Sequence, residues 1–215
     1  MEKRFLLLCI STLLLLSIVG CKSSTTAPSG KVKRYPYERF HIHYEISGGA
    51  RGVEDAYIAD YGKYEGRYMD VEMLRSIGNE RLHTVTINRG ADRYMVEIEH
   101  NDGEHSFSLK IDSLYRGLIE PLTPQELTEV SLRAMRISKV GTDTVIGKVC
   151  DGWSSIDDKL NLWISDGMLL RKRTPDMEGG WITQTATLID TNWVVDSTKF
   201  VVPQGIPIRE KKDGE

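Results

Sequence analysis

Over most of the chain from residue 40 to 190, apolar and polar side chains alternate with a period of two, which restricts those stretches to β-strands. In FHIHYEI, Phe40, Ile42, Tyr44 and Ile46 fall on one side of an extended strand, and His41, His43 and Glu45 on the other. Ser47 to Gly49 break the run. VEDAYIADY (53–61) predicts a second strand and KYEGRYMDVE (63–72) a third. LHTVTINR (82–89) and RYMVEIE (93–99) flank the short connection GAD, a hairpin signal. HNDGEH predicts the next turn, and SFSLKI (106–111) places Phe107, Leu109 and Ile111 on one face.

One segment changes period. Thr123 is a good N-cap, Pro124 suits the first helical position, and Glu126 completes a capping box. Leu127, Val130, Ala134 and Met135 follow at helical spacing, predicting a helix from 124 to about 137. A shorter helical turn is expected in DSLYRGLI (112–119). The chain then returns to strands, with TDTVIGKVCDGW (142–153) β-rich and LNLWIS and MLLRKRT flanking Asp166-Gly167, a two-residue hairpin signal. GWITQTATLID (180–190) is a further long strand. The order, about six strands, a helix, then about four strands, predicts a mainly β fold with some α. Its expected form is a curved antiparallel half-barrel, an incomplete β-barrel, with one or two helices lidding its concave face. An immunoglobulin-like sandwich has no place for the helix.

The N-terminus sets the compartment. Lys3 and Arg4 precede an apolar run from Phe5 to Gly20, the form of a secretory signal. That run is short for a finished helix across a bilayer of roughly 30 Å. It ends LSIVGC, and IVGC resembles the lipobox of bacterial lipoproteins. The resemblance implies that the Cys21 thiol receives a diacylglyceryl group and that cleavage leaves Cys21 as the N-terminus, with small Gly20 admitting the peptidase. At roughly 0.8 kcal/mol per buried methylene, two or three acyl chains hold a domain firmly on a membrane. Lys22 is non-acidic, which by the same resemblance permits sorting to the outer membrane, facing the periplasm. KSSTTAPSGKVKR reads as a flexible tether. The expected organisation is a signal peptide over 1–20, lipidated Cys21 and tether over 21–36, a folded domain over 37–210 and a polar tail over 211–215.

Removing residues 1–20 takes away one Glu, one Lys and one Arg and moves the net charge from −3 to −4. That weak acidity, without a concentrated basic patch, argues against nucleic-acid binding. With Cys9 in the signal and Cys21 lipidated, Cys150 has no partner within the mature chain. In VIGKVC, Ile146, Lys148 and Cys150 share one face of an expected strand, and Cys150 is expected to be a small packed residue.

No G-x-S-x-G elbow, H-E-x-x-H helix, P-loop or dinucleotide fingerprint is present, so no catalytic residues, cofactor or enzyme activity are expected. His100 and His105 sit with Glu97, Glu99 and Glu104 around one turn, and His41 and His43 lie two apart on one strand face. Either pattern can ligate a metal. The turn chemistry of NDG and an exposed polar strand face explain them more simply, and no metal site is assigned. Tyr57, Tyr61, Tyr64 and Tyr68 cluster, and all four tryptophans fall in the C-terminal strands, a set compatible with a large apolar pocket.

GTDTVIGKVCDGWSSIDDKLNLWISDGMLL resembles the C-terminal half of the LolA/LolB-like lipoprotein-carrier superfamily, in which a G-x-x-C strand precedes an L-x-L-W-I strand and a hairpin. ATLIDTNWVVDSTKFVVPQGIPI resembles its closing strand and F-x-x-P-x-G segment, so the likeness covers about residues 38 to 208. VEDAYIADYGKYEGRY is similar to a group of uncharacterised bacterial lipoproteins. The resemblance implies an incomplete barrel whose apolar concave face shelters a lipid or the acyl chains of a lipoprotein. In that picture Leu127, Val130, Ala134 and Met135 face the cavity from the lid, while Val85, Ile87, Tyr94, Val96 and Trp163 line its floor. LIEPL (118–122) is a candidate for the exposed apolar loop of the anchored receptor in that family. The expected function is a membrane-anchored envelope lipoprotein that binds or relays a lipid, acyl or other apolar ligand. The alternative is a non-enzymatic structural or interaction subunit of an envelope complex.

Overall fold

The alternating segments pair with their sequence neighbours, as short connections between antiparallel strands require. In a computed structural model, which describes residues 33–107 and 122–211, the strands are β1 (Phe40–Gly48), β2 (Ala50–Ala59), β3 (Tyr64–Met73), β4 (Glu80–Arg89), β5 (Asp92–Glu97) and β6 (Asp102–Phe107). Helix α1 (Pro124–Ala134) follows, then β7 (Ile137–Val145), β8 (Lys148–Ser155), β9 (Asn161–Ser165), β10 (Met168–Pro175), β11 (Trp181–Asp190) and β12 (Ile208–Glu210). They form one curved, open sheet of 12 strands in the order β12-β6-β5-β4-β3-β2-β1-β11-β10-β9-β8-β7. Every pair is antiparallel except β12 with β6. This is the mainly β, half-barrel architecture with a helix that the alternation predicts. The expected signal peptide, Cys21, the turn over 112–119 and residues 118–121 of LIEPL lie outside the described residues.

Local chemistry sets the elements. The Thr123 hydroxyl accepts from the Glu126 N–H at 3.3 Å while the Glu126 carboxylate accepts from the Thr123 N–H at 2.8 Å, the reciprocal capping box. The helix ends at Ala134, three residues before the expected end, because Arg136 turns left-handed at φ 59. The Asp166-Gly167 turn forms as expected, with φ of 48 and 79. A second turn of the same kind, Ile146-Gly147 with φ of 46 and 74, divides the single β-rich stretch of 142–153 into β7 and β8. Ile146 therefore belongs to a turn and does not share the strand face expected for it with Cys150. The β5–β6 turn falls at 98–101, where Asn101 takes φ 52, so β6 begins at Asp102 rather than at 106.

The largest apolar cluster joins Phe40, Ile42 and Tyr44 of β1 to Ala56 and Ile58 of β2, Ala186 of β11, Met168 and Leu170 of β10, and Val145 and Cys150. The sheet face carrying it is here termed inner. Tyr35 and Tyr37, on either side of the expected tether boundary, both meet Phe40 edge-on, with centroids 5.2 and 5.9 Å away.

Candidate functional site

Unbroken register from β1 to β6 places each row of side chains on one face. Ile42 pairs with Ala56, Ala56 with Arg67, and Arg67 with Thr86, so the apolar inner wall of β1 and β2 continues as a polar surface on β3 and β4. The change occurs at a cluster of charges. Arg67 Nε lies 2.8 Å from Glu65 Oε1, its Nη1 reaches Glu54 Oε1, and Asn88 Nδ2 donates to Glu65 Oε2 at 3.5 Å. Glu54 and Glu65 are buried. Burial pushes the Glu65 carboxyl up, but the guanidiniums of Arg67 and Arg34 outweigh it and leave it below the usual carboxylate range. Burial, helped by the nearby Glu54 carboxylate and opposed by Arg67, pushes the neighbouring Tyr44 hydroxyl up, and that hydroxyl donates to the Leu169 carbonyl at 2.8 Å. The inner face thus offers an apolar wall ending at a hydrogen-bonded Glu–Arg–Glu cluster, chemically suited to an apolar chain bearing a polar end.

The residues expected to line one cavity occupy three places. Val85, Ile87 and Val96 are buried together with Tyr94 beside them, paired Val85 to Val96 and Ile87 to Tyr94. Their row runs His43, Asp55, Tyr68, Val85, Val96, on the face opposite Phe40, Ile42 and Tyr44. Val202, Ile206 and Ile208 of the C-terminal segment cover them. On α1, Leu127 and Leu132 are 2% and 4% exposed, whereas Val130 and Met135 are 43% and 61% exposed and Ala134 also faces solvent. The buried stripe is rotated to Leu127, Thr128, Ser131 and Leu132. Polar residues fit on that stripe because the Thr128 and Ser131 hydroxyls donate to the Pro124 and Leu127 carbonyls at 2.9 and 2.8 Å. Leu132 packs with Ile137, Trp153, Leu162 and Ile164, and Leu127 lies beside Tyr35. Trp163 is half-buried against the inner-wall cluster, with the Arg171 guanidinium 5.3 Å from its ring. Leu127 and Trp163 therefore stand at the inner wall, the other lid residues in solvent, and the four floor residues beneath the C-terminal segment.

His41, His43, His100 and His105 each meet a carboxylate. Asp55 Oδ1 is 2.7 Å from His41 Nε2 and 2.8 Å from His43 Nδ1. Burial raises the Asp55 pKa, and the two imidazoles more than reverse this, leaving it lowered. His100 Nδ1 lies 2.7 Å from Glu97 Oε2. His105 turns away from that pair, toward Glu210 and Asp92. Among the described residues no three His, Cys, Asp or Glu side chains are arranged to hold a metal ion. Cys150 is fully buried, and burial raises its thiol pKa, the opposite of an activated nucleophile. Sequence reasoning missed the Glu54–Arg67–Glu65 cluster. Its only signal was the breakdown of clean alternation in KYEGRYMDVE, where charged residues take inward positions.

No protein-family model and no curated protein matches the chain. Among solved structures it is similar to an uncharacterized conserved protein from Thermus thermophilus, at 11% identity over 84% of this chain and 94% of that one, TM-score 0.47. It is also similar to LprF from Mycobacterium bovis, at 10% identity over 74% and 89%, TM-score 0.33. A LolA superfamily protein from Nitrosomonas europaea is 9% identical over 79% and 93%, TM-score 0.26. The last belongs to the superfamily that the sequence pattern resembles.

Proposed function

We propose that this chain is a bacterial envelope lipoprotein, anchored through acyl chains on Cys21 and facing the periplasm from the outer membrane. In this reading it binds or relays a lipid, acyl or other apolar ligand on its inner face and catalyses no reaction. The observation that carries the reading is the juxtaposition, on the inner face of an open sheet, of the apolar wall of β1 and β2 with the buried Glu54–Arg67–Glu65 cluster. An apolar chain would lie on the wall and a polar end group at the cluster. Access requires α1 and the Tyr35 segment to lift from the wall. The cost of about 25 cal/mol per Å² of apolar surface exposed is offset when acyl chains replace them. The stretch LSIVGC supports the anchor.

The test is native mass spectrometry of the full chain, extracted from membranes in a mild non-ionic detergent. A co-purified lipid, released by denaturation and lost when Ala56→Trp fills the wall, is the expected result. No co-purified lipid, together with no displacement of a fluorescent fatty acid, would rule the reading out. Mass analysis of the mature N-terminus checks the acyl groups on Cys21 separately.

The second reading is an interaction subunit of an envelope complex. It is favoured by β7, which ends the sheet with residues 138–144 all exposed, Val140 at 65%. Crosslinking in membranes that recovers no stoichiometric partner would count against it.

A further inference from the structure

Three cations surround one cavity where α1 passes into β7. The cavity, of about 260 Å³, is lined by Arg133, Arg136, Ile137, Ser138, Lys139 and Trp153. At about 30 Å³ per water it has the volume of roughly nine waters, enough for a phosphate group and the first carbons of a chain. Its polar lining residues are Arg133, Arg136, Lys139 and Ser138, and no Asp or Glu is among them. Ile137 and Trp153 add a buried apolar side.

Arg136 is placed where another residue would be easier to accommodate. It holds φ 59 directly after the helix, its N–H donating to the Arg133 carbonyl at 3.0 Å, in the position that glycine favours. A non-glycine residue in such a conformation is an outlier from which function can be inferred. Its guanidinium forms no ion pair among the described residues, whereas Arg133 lies 3.6 Å from Glu129 and Lys139 lies 2.8 Å from Asp151. The buried indole N–H of Trp153 also has no hydrogen-bond acceptor among the described residues. Buried donors without acceptors are uncommon, and this one belongs to a residue of the same cationic cavity.

We infer that this cavity binds a phosphate group, free or as the head of a lipid, held by Arg136, Lys139 and Arg133. Charge-assisted hydrogen bonds from guanidinium and ammonium supply the attraction, and Glu129 and Asp151 are the anionic groups with which the ligand competes. The site does not depend on the inner-face ligand and can fail or stand apart from it.

The test is titration calorimetry of the full chain in a non-ionic detergent, with inorganic phosphate and with dihexanoyl phosphatidic acid. Saturable binding at one site per chain is expected, weakened about tenfold or more by Arg136→Gly and by Lys139→Gln, as for loss of a charged hydrogen bond. Arg136→Gly relieves the left-handed backbone, so its thermal midpoint should equal or exceed the wild type, separating loss of binding from loss of fold. Similar affinity for the two probes assigns the site to free phosphate, and a clear preference for the lipid assigns it to a lipid head. No saturable binding of either probe, or binding unchanged when both substitutions are combined, overturns the proposal.

Discussion

His105 on β6 and Glu210 on β12 stand 2.8 Å apart, Nδ1 to Oε1, across the one parallel pair among the described strands. The same ring lies 3.2 Å from Asp92 Oδ1 and stacks on Tyr94 with centroids 4.4 Å apart. Glu210 raises the His105 pKa, burial opposes it, and Asp92 adds to the rise. A histidine with a raised folded-state pKa stabilises fully below its unfolded value of 6.5, and the contribution fades as pH rises through the folded value. We expect amide exchange over residues 208–211, corrected for intrinsic rates, to accelerate as pH rises above 6.5 through the folded-state value. His105→Gln should flatten that dependence, and an unchanged profile in the variant would refute the clamp.

Gly66 on β3 lies against the C-terminal segment, where a Cβ would stand 2.0 Å from the Lys199 carbonyl oxygen. That carbonyl also accepts from the Tyr68 hydroxyl at 3.1 Å. Gly66→Ala must push the segment outward, at a cost of about 1–3 kcal/mol for a contact that cannot relax in place. Denaturant unfolding should show the loss, and exchange over 197–203 should rise in the variant.

Arg67 compensates two buried carboxylates. Arg67→Met removes the one guanidinium that bonds both Glu54 and Glu65, leaving Arg34 to act on Glu65 from a distance, which costs about 3–5 kcal/mol at pH 7. In the wild type the depressed Glu65 pKa stabilises above the unfolded value of 4.5 and is lost as pH falls. In the variant, burial dominates and raises that pKa, so acidification relieves the penalty. Urea midpoints should therefore differ less between variant and wild type at about pH 5 than at pH 7.

The orientation of α1 is checked by truncation. Leu132→Ala removes a side chain from the Trp153 and Ile164 cluster and should cost about 2–4 kcal/mol. Val130→Ala and Met135→Ala, on the solvent side, should each change stability by less than about 0.5 kcal/mol. A large effect at Met135 would mean that the helix packs through the stripe expected from its spacing alone.

Cys150 should resist a thiol reagent in the folded chain and react only on unfolding, because burial both hides it and raises its pKa. Rapid stoichiometric labelling under native conditions would contradict this placement.

The period-two runs, the capping box at Thr123 and the Asp166-Gly167 turn were legible in the sequence because each depends on residues within a few positions of one another. They were enough for a mainly β, open, curved sheet with one capped helix. The Ile146-Gly147 turn was not legible, since a β-branched residue at positive φ defies the usual turn chemistry. The packing of each apolar stripe was also undetermined. Phe40, Ile42 and Tyr44 alternate as Val85 and Ile87 do, yet the register through β2 and β3 puts the two sets on opposite faces of one sheet. Alternation records that one side of a strand is buried without recording which, so the choice passes to whatever covers it. Here the sheet's own inner cluster covers the first set, and residues more than a hundred positions away, Val202, Ile206 and Ile208, cover the second. The Glu54–Arg67–Glu65 cluster is likewise a product of cross-strand pairing, and only the tertiary structure could assemble it.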